Sequence, residues 1–424
     1  METEILQKKE KKRVPNLRFG EFEEEWVKNK LGEISEFSKG KNISKADIVE
    51  DGKLECIRYG ELYTYYNEVI FNIKSKTNLH LDNLVLSEVN DVIIPASGET
   101  NVDIATASCI LRKGIAIGGD LNIIRSSIDG AFLSYYLNNR KKFDIARLSQ
   151  GNSVVHLYSK QLKSLNLNLP STREQQKITT FLSAVDKKIQ QLNRKKQLLE
   201  TYKKGVMQQL FSQRLRFKPA LSSAEVDENG KDFPEWEEKR LNDICEMTSS
   251  KRVYLSDYVK DGIPFYRGKE ISELKSNKIP SDILYISKDR YEDFKAKYGV
   301  PLKNDILITA VGTLGNVWRI KDESPFYFKD GNLIWLRKIT ENPEFVEVSL
   351  QWNSRKILNS SIGSSQKALT MVELLKLKFD FPSIQEQQKI ADFLSEIDIK
   401  IETVSQQITK TQSFKKGLLQ QMFI

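Results

Sequence analysis

Two stretches of the chain carry an apolar period close to 3.5. After Pro170, the positions Ile178, Leu182, Val185, Ile189, Leu192, Leu199, Val206 and Leu210 recur at steps of three and four, with Lys196 and Lys203 at the skipped steps. After Pro382 the series is Ile390, Leu394, Ile397, Ile401, Val404, Ile408, Leu418 and Met422. A heptad seam of about five heptads predicts a helix of ~40 residues, ~60 Å long, in each stretch. Just before each helix the period is two. Leu165-Asn166-Leu167-Asn168-Leu169 and Leu377-Lys378-Phe379-Asp380-Phe381 alternate as half-buried strands do. Ser171 and Ser383 suit N-caps, and Glu174 and Glu386 three residues later complete the pattern of a capping box.

The two stretches are copies. Residues 170–211 and 382–423 align without a gap, and 19 of the 42 positions are identical. The preceding segments correspond more loosely. Trp26, Leu31 and Ile34 have the spacing of Trp236, Leu241 and Ile244, and Asp91-Val92-Ile93-Ile94 resembles Asp305-Ile306-Leu307-Ile308. Gly151-Asn152-Ser153 sits where Gly363-Ser364-Ser365 sits in the second copy. The chain is therefore one unit written twice. The expected organisation is an N-terminal arm (1–13), a first variable domain (14–170), a central helix (171–215), a polar linker (216–232), a second variable domain (233–381) and a C-terminal helix (382–424). Two equivalent seams in one chain call for packing on each other, and a pseudo-twofold relation makes that pair antiparallel.

Each variable domain mixes short β-type runs, such as Asp91 to Pro95 and Leu333 to Leu336, with helical stretches such as Ala131 to Phe143. The fold class is α/β or α+β, around a small twisted sheet. Loops at corresponding places in the two domains carry the residue types that contact phosphates and base edges. In the first they are Lys39, Lys41 and Asn42; Arg58 and Tyr59; Ser97, Thr100 and Asn101; and Gln150, Asn152 and Ser153. In the second they are Ser250, Lys251 and Arg252; Arg267 and Lys269; Thr313 and Asn316; and Ser364, Ser365, Gln366 and Lys367. Equal placement with different side chains suits two readers of different sequences. The identical polar residues of the long helices point instead to a surface read twice by one partner. These are Glu174, Gln175, Gln176, Lys177, Lys203 and Lys204, with Glu386, Gln387, Gln388, Lys389, Lys415 and Lys416.

Composition narrows the classes. A formal charge of +9 over 424 residues favours a polyanionic partner. Three cysteines at no metal-type spacing and two histidines offer no metal site, and reduced thiols fit a cytoplasmic protein. Met1 to Arg13 lacks the apolar core of a secretory signal, and no apolar run reaches the ~20 residues of a membrane span. No phosphate-binding GxxxxGK[ST] loop, GxSxG elbow or HExxH pair occurs, nor the Asn/Asp-Pro-Pro-aromatic motif of amino-methyltransferases. No catalytic residue is assigned. A carboxylate-based nuclease site has too loose a signature to be dismissed by motif. A coiled-coil scaffold with two protein-binding heads and a stand-alone DNA enzyme stay open as alternatives at this point.

Over essentially its full length the chain resembles the specificity subunits of type I restriction-modification systems. Val14-Pro15-Asn16-Leu17-Arg18-Phe19, with Trp26 and Leu31-Gly32-Glu33-Ile34, looks like their opening motif. Pro170 with Glu174-Gln175-Gln176-Lys177-Ile178 and Phe181-Leu182, repeated from Pro382, looks like their paired signature. The resemblance implies two target-recognition domains separated by two long antiparallel helices, each domain reading one half of a bipartite site in double-stranded DNA. It also implies that the helices dock two methyltransferase subunits, which two translocase/nuclease subunits would join. S-adenosylmethionine, ATP and Mg²⁺ then belong to those partners, with no cofactor or metal bound by this chain.

Overall fold

A computed structural model describes residues 13–151, 153–219, 232–276, 278–364 and 367–424. The chain divides into two compact units, one of residues up to 196 together with 404–424, the other of residues 197–403. The unit boundaries fall inside the long helices and not at their starts, as the sequence suggested. Each takes a variable domain, the start of the long helix that follows it, and the end of the other long helix. The long helices are Thr172–Phe211 and Ile384–Gln421.

In the first unit, the heptad positions Ile178, Leu182 and Val185 are buried with Leu418, Leu419, Met422 and Phe423. In the second unit, Val206 and Leu210 are buried with Ile390, Leu394 and Ile397. The start of one helix meets the end of the other, so the pairing is antiparallel within each unit, as the repeat demands. The strands expected before each helix are present. Asn166–Leu169 pairs antiparallel with Val27–Lys30, and Lys378–Phe381 with Glu237–Arg240.

The variable domains each hold two main sheets rather than the single sheet expected. The first has a five-stranded sheet in the order Ser35–Lys39, Leu121–Ser126, Asp91–Pro95, Ser108–Ile110, Val69–Ile70, and a four-stranded sheet around Leu54–Ile57 and Ala116–Ile117. The second has two four-stranded sheets, one centred on Ile306–Thr309 and Leu333–Arg337, the other on Ile263–Tyr266 and Leu284–Ile286. The central strands are continuous apolar runs because both faces are covered. The helix expected over Ala131 to Phe143 is two helices, Gly130–Asn139 and Lys142–Leu148, with Asp129 accepting from the Phe132 N–H as N-cap of the first.

Each unit is closed by aromatic residues from distant parts of the chain. In the first, Phe423 lies against Trp26, Phe132 and Tyr136 at centroid distances of 6.4, 5.5 and 5.7 Å. In the second, Phe211 lies against Trp236 and Phe345 at 6.1 and 5.9 Å. The backbone repeats the relation. The Leu17 N–H donates to the Gln421 carbonyl, and the Leu215 N–H to the Gln209 carbonyl. Leu215-Arg216-Phe217 is thus a second copy of Leu17-Arg18-Phe19. This corrects the expected linker: Arg216 and Phe217 belong to the second unit, and residues 220–231 lie outside the described residues, as do residues 1–12 of the arm.

Cys56, Cys109 and Cys245 are free and buried, and burial pushes the thiols up, Cys56 to about 11 and Cys245 to about 12. Among the described residues, no helix is long and apolar enough to cross a membrane.

Candidate nucleic-acid interface

In the first unit the strand Leu54–Ile57 ends at Arg58, which starts the short helix Tyr59–Thr64. Arg58 donates its backbone N–H to the buried Glu61 carboxylate at 3.1 Å, and its Nη2 lies 3.7 Å from the other oxygen. The arginine is drawn over its own helix, and its Nε finds no acceptor among the described residues. The second unit repeats the device. After the strand Ile263–Tyr266, Arg267 starts the helix Gly268–Lys275 and grips the fully buried Glu270 with Nη2 at 2.6 Å and Nε at 3.2 Å. A planar guanidinium held along one edge by a carboxylate is pre-oriented, with less side-chain entropy left to lose on binding.

The loops expected to act together meet around these arginines. In the first unit Gly40 approaches the 117–119 segment so closely that a Cβ there would clash with the Gly118 carbonyl oxygen. That close approach lets the Lys39–Asn42 loop pack on residues 117–119, with the Asn42 carbonyl accepting from the Gly119 N–H. Asn42 and Ile43 both adopt left-handed backbone, at φ 52° and 62°. Asn42, Arg58 and Tyr59 line one open concavity of about 750 Å³ with His80 and Asp120. Lys39 lies 3.8 Å from Asp120, and Lys41 is exposed. Tyr59 is 41% exposed and edges onto Tyr63, whose hydroxyl donates to the Ser97 carbonyl at 3.0 Å. Ser97–Gly98 pairs with Val155–His156, and Gln150 bridges to His156. Asn101 and Ser153 are exposed beside this strand pair. Thr100 has a local task, capping the helix Asn101–Ile104 by accepting from the Asp103 N–H at 3.1 Å. Asn152 lies outside the described residues.

In the second unit Arg267, Lys269 and Thr313 line a concavity of about 650 Å³ with Ser272, Lys278 and Asn332. Gly331 donates to the Ser249 hydroxyl and Arg252 reaches Asp330 at 3.3 Å, which ties the 249–252 loop to the same place. The Ile362–Ala368 bridge hangs beside it, because Leu369 donates to the Ala310 carbonyl at 2.9 Å. Ser364 and Lys367 are exposed there, whereas Ser365 and Gln366 lie outside the described residues. Lys251 is exposed, with its Nζ 4.9 Å from the Tyr298 ring centroid. Two expected contacts are corrected. Ser250 is buried, at 8% exposure, so its hydroxyl does not face solvent. The Asn316 amide is taken up internally, donating to Ser272 and accepting from Lys275, both at 2.9 Å. Sequence reasoning missed His156, Lys278 and Asn332. Only the tertiary approach of another segment brings each of them to the surface in question.

The expected docking surface on the long helices divides. Glu174 is buried at 1% and takes a fork from Arg18, with Nε at 2.8 Å and Nη2 at 2.7 Å. Arg216 holds the fully buried Glu386 in the same way, at 3.2 and 2.7 Å. Only the hydroxyl half of the expected capping box forms, Ser171 and Ser383 accepting from the Glu174 and Glu386 N–H groups at 3.4 Å. The carboxylates are spent on the arginines. Gln175 accepts from the Asp129 N–H and donates to the Pro170 carbonyl, and Gln387 does the same to Asn342 and Pro382. A neutral side chain that donates and accepts at once meets that need, which explains the glutamine in both copies. Lys415 and Lys203 are also internal, to Asp186 at 2.7 Å and Asp398 at 2.6 Å. The sequence held the signal, since both lysines fall in the register of the heptad seam. Gln176, Lys177, Lys204, Gln388 and Lys416 remain exposed, and Lys389 is half-buried.

Among the described residues, no cluster of three His, Cys, Asp or Glu side chains could hold a metal ion. The architecture has counterparts in known proteins. Residues 23–201 and 234–411 each match the type I restriction modification DNA specificity domain. The chain is 24% identical over 407 residues to the type I restriction enzyme MjaVIII specificity subunit of Methanocaldococcus jannaschii, covering 93% of this chain and 91% of the relative. It is 25% identical over 445 residues to the putative MjaX specificity subunit of the same organism, covering 98% and 96%. In fold it is similar to the crystal structure of the type I restriction-modification S subunit from M. genitalium, with a TM-score of 0.63, 18% identity and coverage of 97% and 99%.

Proposed function

Because the chain belongs to the type I restriction modification DNA specificity family, we propose that its two domains read the two halves of a bipartite double-stranded DNA site and position partner subunits there. The observation that carries the reading is the duplicated loop set. In each unit an arginine clamped by a buried glutamate stands at a concavity where the variable loops converge. Base contacts specify sequence and phosphate contacts position the protein, so two such sets with different side chains read two different half-sites. The chain supplies recognition, and chemistry falls to its partners. Two methyltransferase subunits bring S-adenosylmethionine and flip the target adenine from the duplex. Two translocase/nuclease subunits use ATP and Mg²⁺. The direct test is methylome sequencing of a host with and without this chain. A split methylated motif that appears only with the chain supports the reading. Purified chain that cuts or methylates DNA alone would overturn it in favour of a stand-alone enzyme, and a chain with no salt-sensitive DNA binding would favour a scaffold.

Two further outcomes are expected. Replacing the planar fork by Arg267→Lys, which leaves a cation for the buried Glu270, should relax one position of one half-site, at a cost of ~1–3 kcal/mol if the guanidinium reads a guanine edge. The other half-site should be unchanged, as read from the methylated motif. Uniform weakening across all sequences would instead mark Arg267 as a phosphate contact. For the complex as a whole, log affinity should fall linearly with log salt, by ~0.9 per phosphate neutralised. Titrations at 50 and 200 mM salt measure the slope, and a flat line would exclude phosphate contacts as a main source of affinity.

A further inference from the structure

Among the described residues, the most exposed large apolar side chain is Ile279, at 92%. Packing gives no reason for an isoleucine there, but its location does. The loop that carries it is tied to the Arg267 concavity on both sides. Before it, the Lys278 N–H donates to the Glu273 carbonyl at 2.9 Å, and Lys278 and Ser276 line the concavity with Arg267 and Lys269. After it, Pro280 is buried, and the Asp282 carbonyl accepts from Arg267 Nη2 at 3.1 Å. A proline disfavours helical backbone in the residue before it, and a β-branched side chain is stiff at χ1. Ile279 is therefore an apolar tip with little conformational freedom to lose on binding, held beside the guanidinium and next to the exposed Lys278.

We infer that Ile279 is a specificity-determining residue that packs on the C5 methyl group of a thymine in the half-site read by the second unit, close to the base pair that Arg267 meets. The inference rests on the functional reading above, by which this concavity faces DNA. Lys269 and Lys278 suit phosphates, and a guanidinium suits the acceptors of a base edge, but an isoleucine can bond neither. The thymine methyl is the apolar group that a base pair offers in the major groove, where an arginine reads guanine. Ile279 thus adds information that Arg267 cannot, since it selects a base by a methyl group and not by a hydrogen bond. The competing use of an exposed isoleucine is a wedge between base steps, which enters from the minor groove and kinks the duplex. That approach would set Ile279 in the opposite groove from the guanine edge, although its loop is bonded to Arg267 itself.

The test is DNA binding by the complex of the full chain with its methyltransferase partners, on duplexes carrying the split motif that methylome sequencing finds. Each thymine of either half-site is replaced in turn by deoxyuridine, which lacks only the C5 methyl. Wild type is expected to lose about fourfold in affinity at one thymine, the scale of one buried methyl group. Ile279→Ala should lose at least as much on the native duplex, and nothing further when that thymine becomes uracil, so the two changes are not additive. Ile279→Val, which keeps the branched methyl groups, should still sense the uracil. The side chain is exposed, so the thermal midpoint of Ile279→Ala should match wild type. Losses that add at every thymine, as a wedge or a backbone contact would give, overturn the inference and leave the functional reading standing. Binding by Ile279→Ala equal to wild type on the native duplex does the same. A wild-type complex with no sequence preference overturns both.

Discussion

Lys415→Met is expected to destabilise its unit by about 3–5 kcal/mol, whereas Lys203→Met, the same change at the equivalent position, should cost about 0–1 kcal/mol. Lys415 is 14% exposed and lies 2.8 Å from Glu68 and 2.7 Å from Asp186, two carboxylates that are themselves largely buried. Asp186 also accepts from the Tyr135 hydroxyl at 2.6 Å. Burial pulls the Lys415 ammonium down, but Glu68 and Asp186 together outweigh it and hold the group above its ordinary value. A lysine with a raised folded pKa contributes stability that is fully present below ~10.4, the ordinary lysine value, and is lost only as pH rises through the folded pKa. The wild-type contribution is therefore flat through neutral pH. With methionine in place, two largely buried carboxylates lose their counter-ion. Lys203 faces Asp398, which is 54% exposed, and solvent screens that pair. Chemical denaturation of the two variants at pH 7 measures both losses. Equal losses at the two positions would show that burial of the Glu68–Asp186 cluster is not the cause.

The second large effect concerns recognition. Exchanging residues 27–169 for the same domain of a relative should replace one half-site completely and leave the other intact. The boundaries follow from the structure. Strand Val27–Lys30 pairs with Asn166–Leu169, so the exchanged block carries its own closing strands. Arg18, Phe19 and Trp26 stay behind with Glu174 and Phe181. The donor must supply aromatic residues where Phe132 and Tyr136 meet Phe423, or the unit will not close. Each wrong base pair costs ~1–3 kcal/mol, roughly additively, so a handful of changed base contacts moves the chain to a new sequence. The methylated motif of the chimaera reads the outcome. A change in both half-sites would mean that the domains do not read independently.

What local sequence determined is what near neighbours encode. The heptad seams, the alternating strands before them and the internal repeat rest on periodicities of 3.5 and 2, which arise from backbone geometry over a few residues. All of them appear in the folded chain, and the paired signature led to the family. The loops that gather around Arg58 and Arg267 were also legible, because turn residues and side-chain chemistry are local. Tertiary structure alone decided where the polar residues of the repeat point. Glu174 reads as a cap and Gln175 as a surface residue until Arg18 and Asp129 arrive from more than forty positions away. Burial of a charge depends on a partner that sequence spacing does not reveal. The same holds for Ser250 and Asn316, and for the Leu215-Arg216-Phe217 copy, recognisable once Arg216 is seen gripping Glu386 as Arg18 grips Glu174. Lys415 and Lys203 lie between the two cases. Their register put them on the seam, but only the fold supplies Glu68 to one and leaves the partner of the other in water.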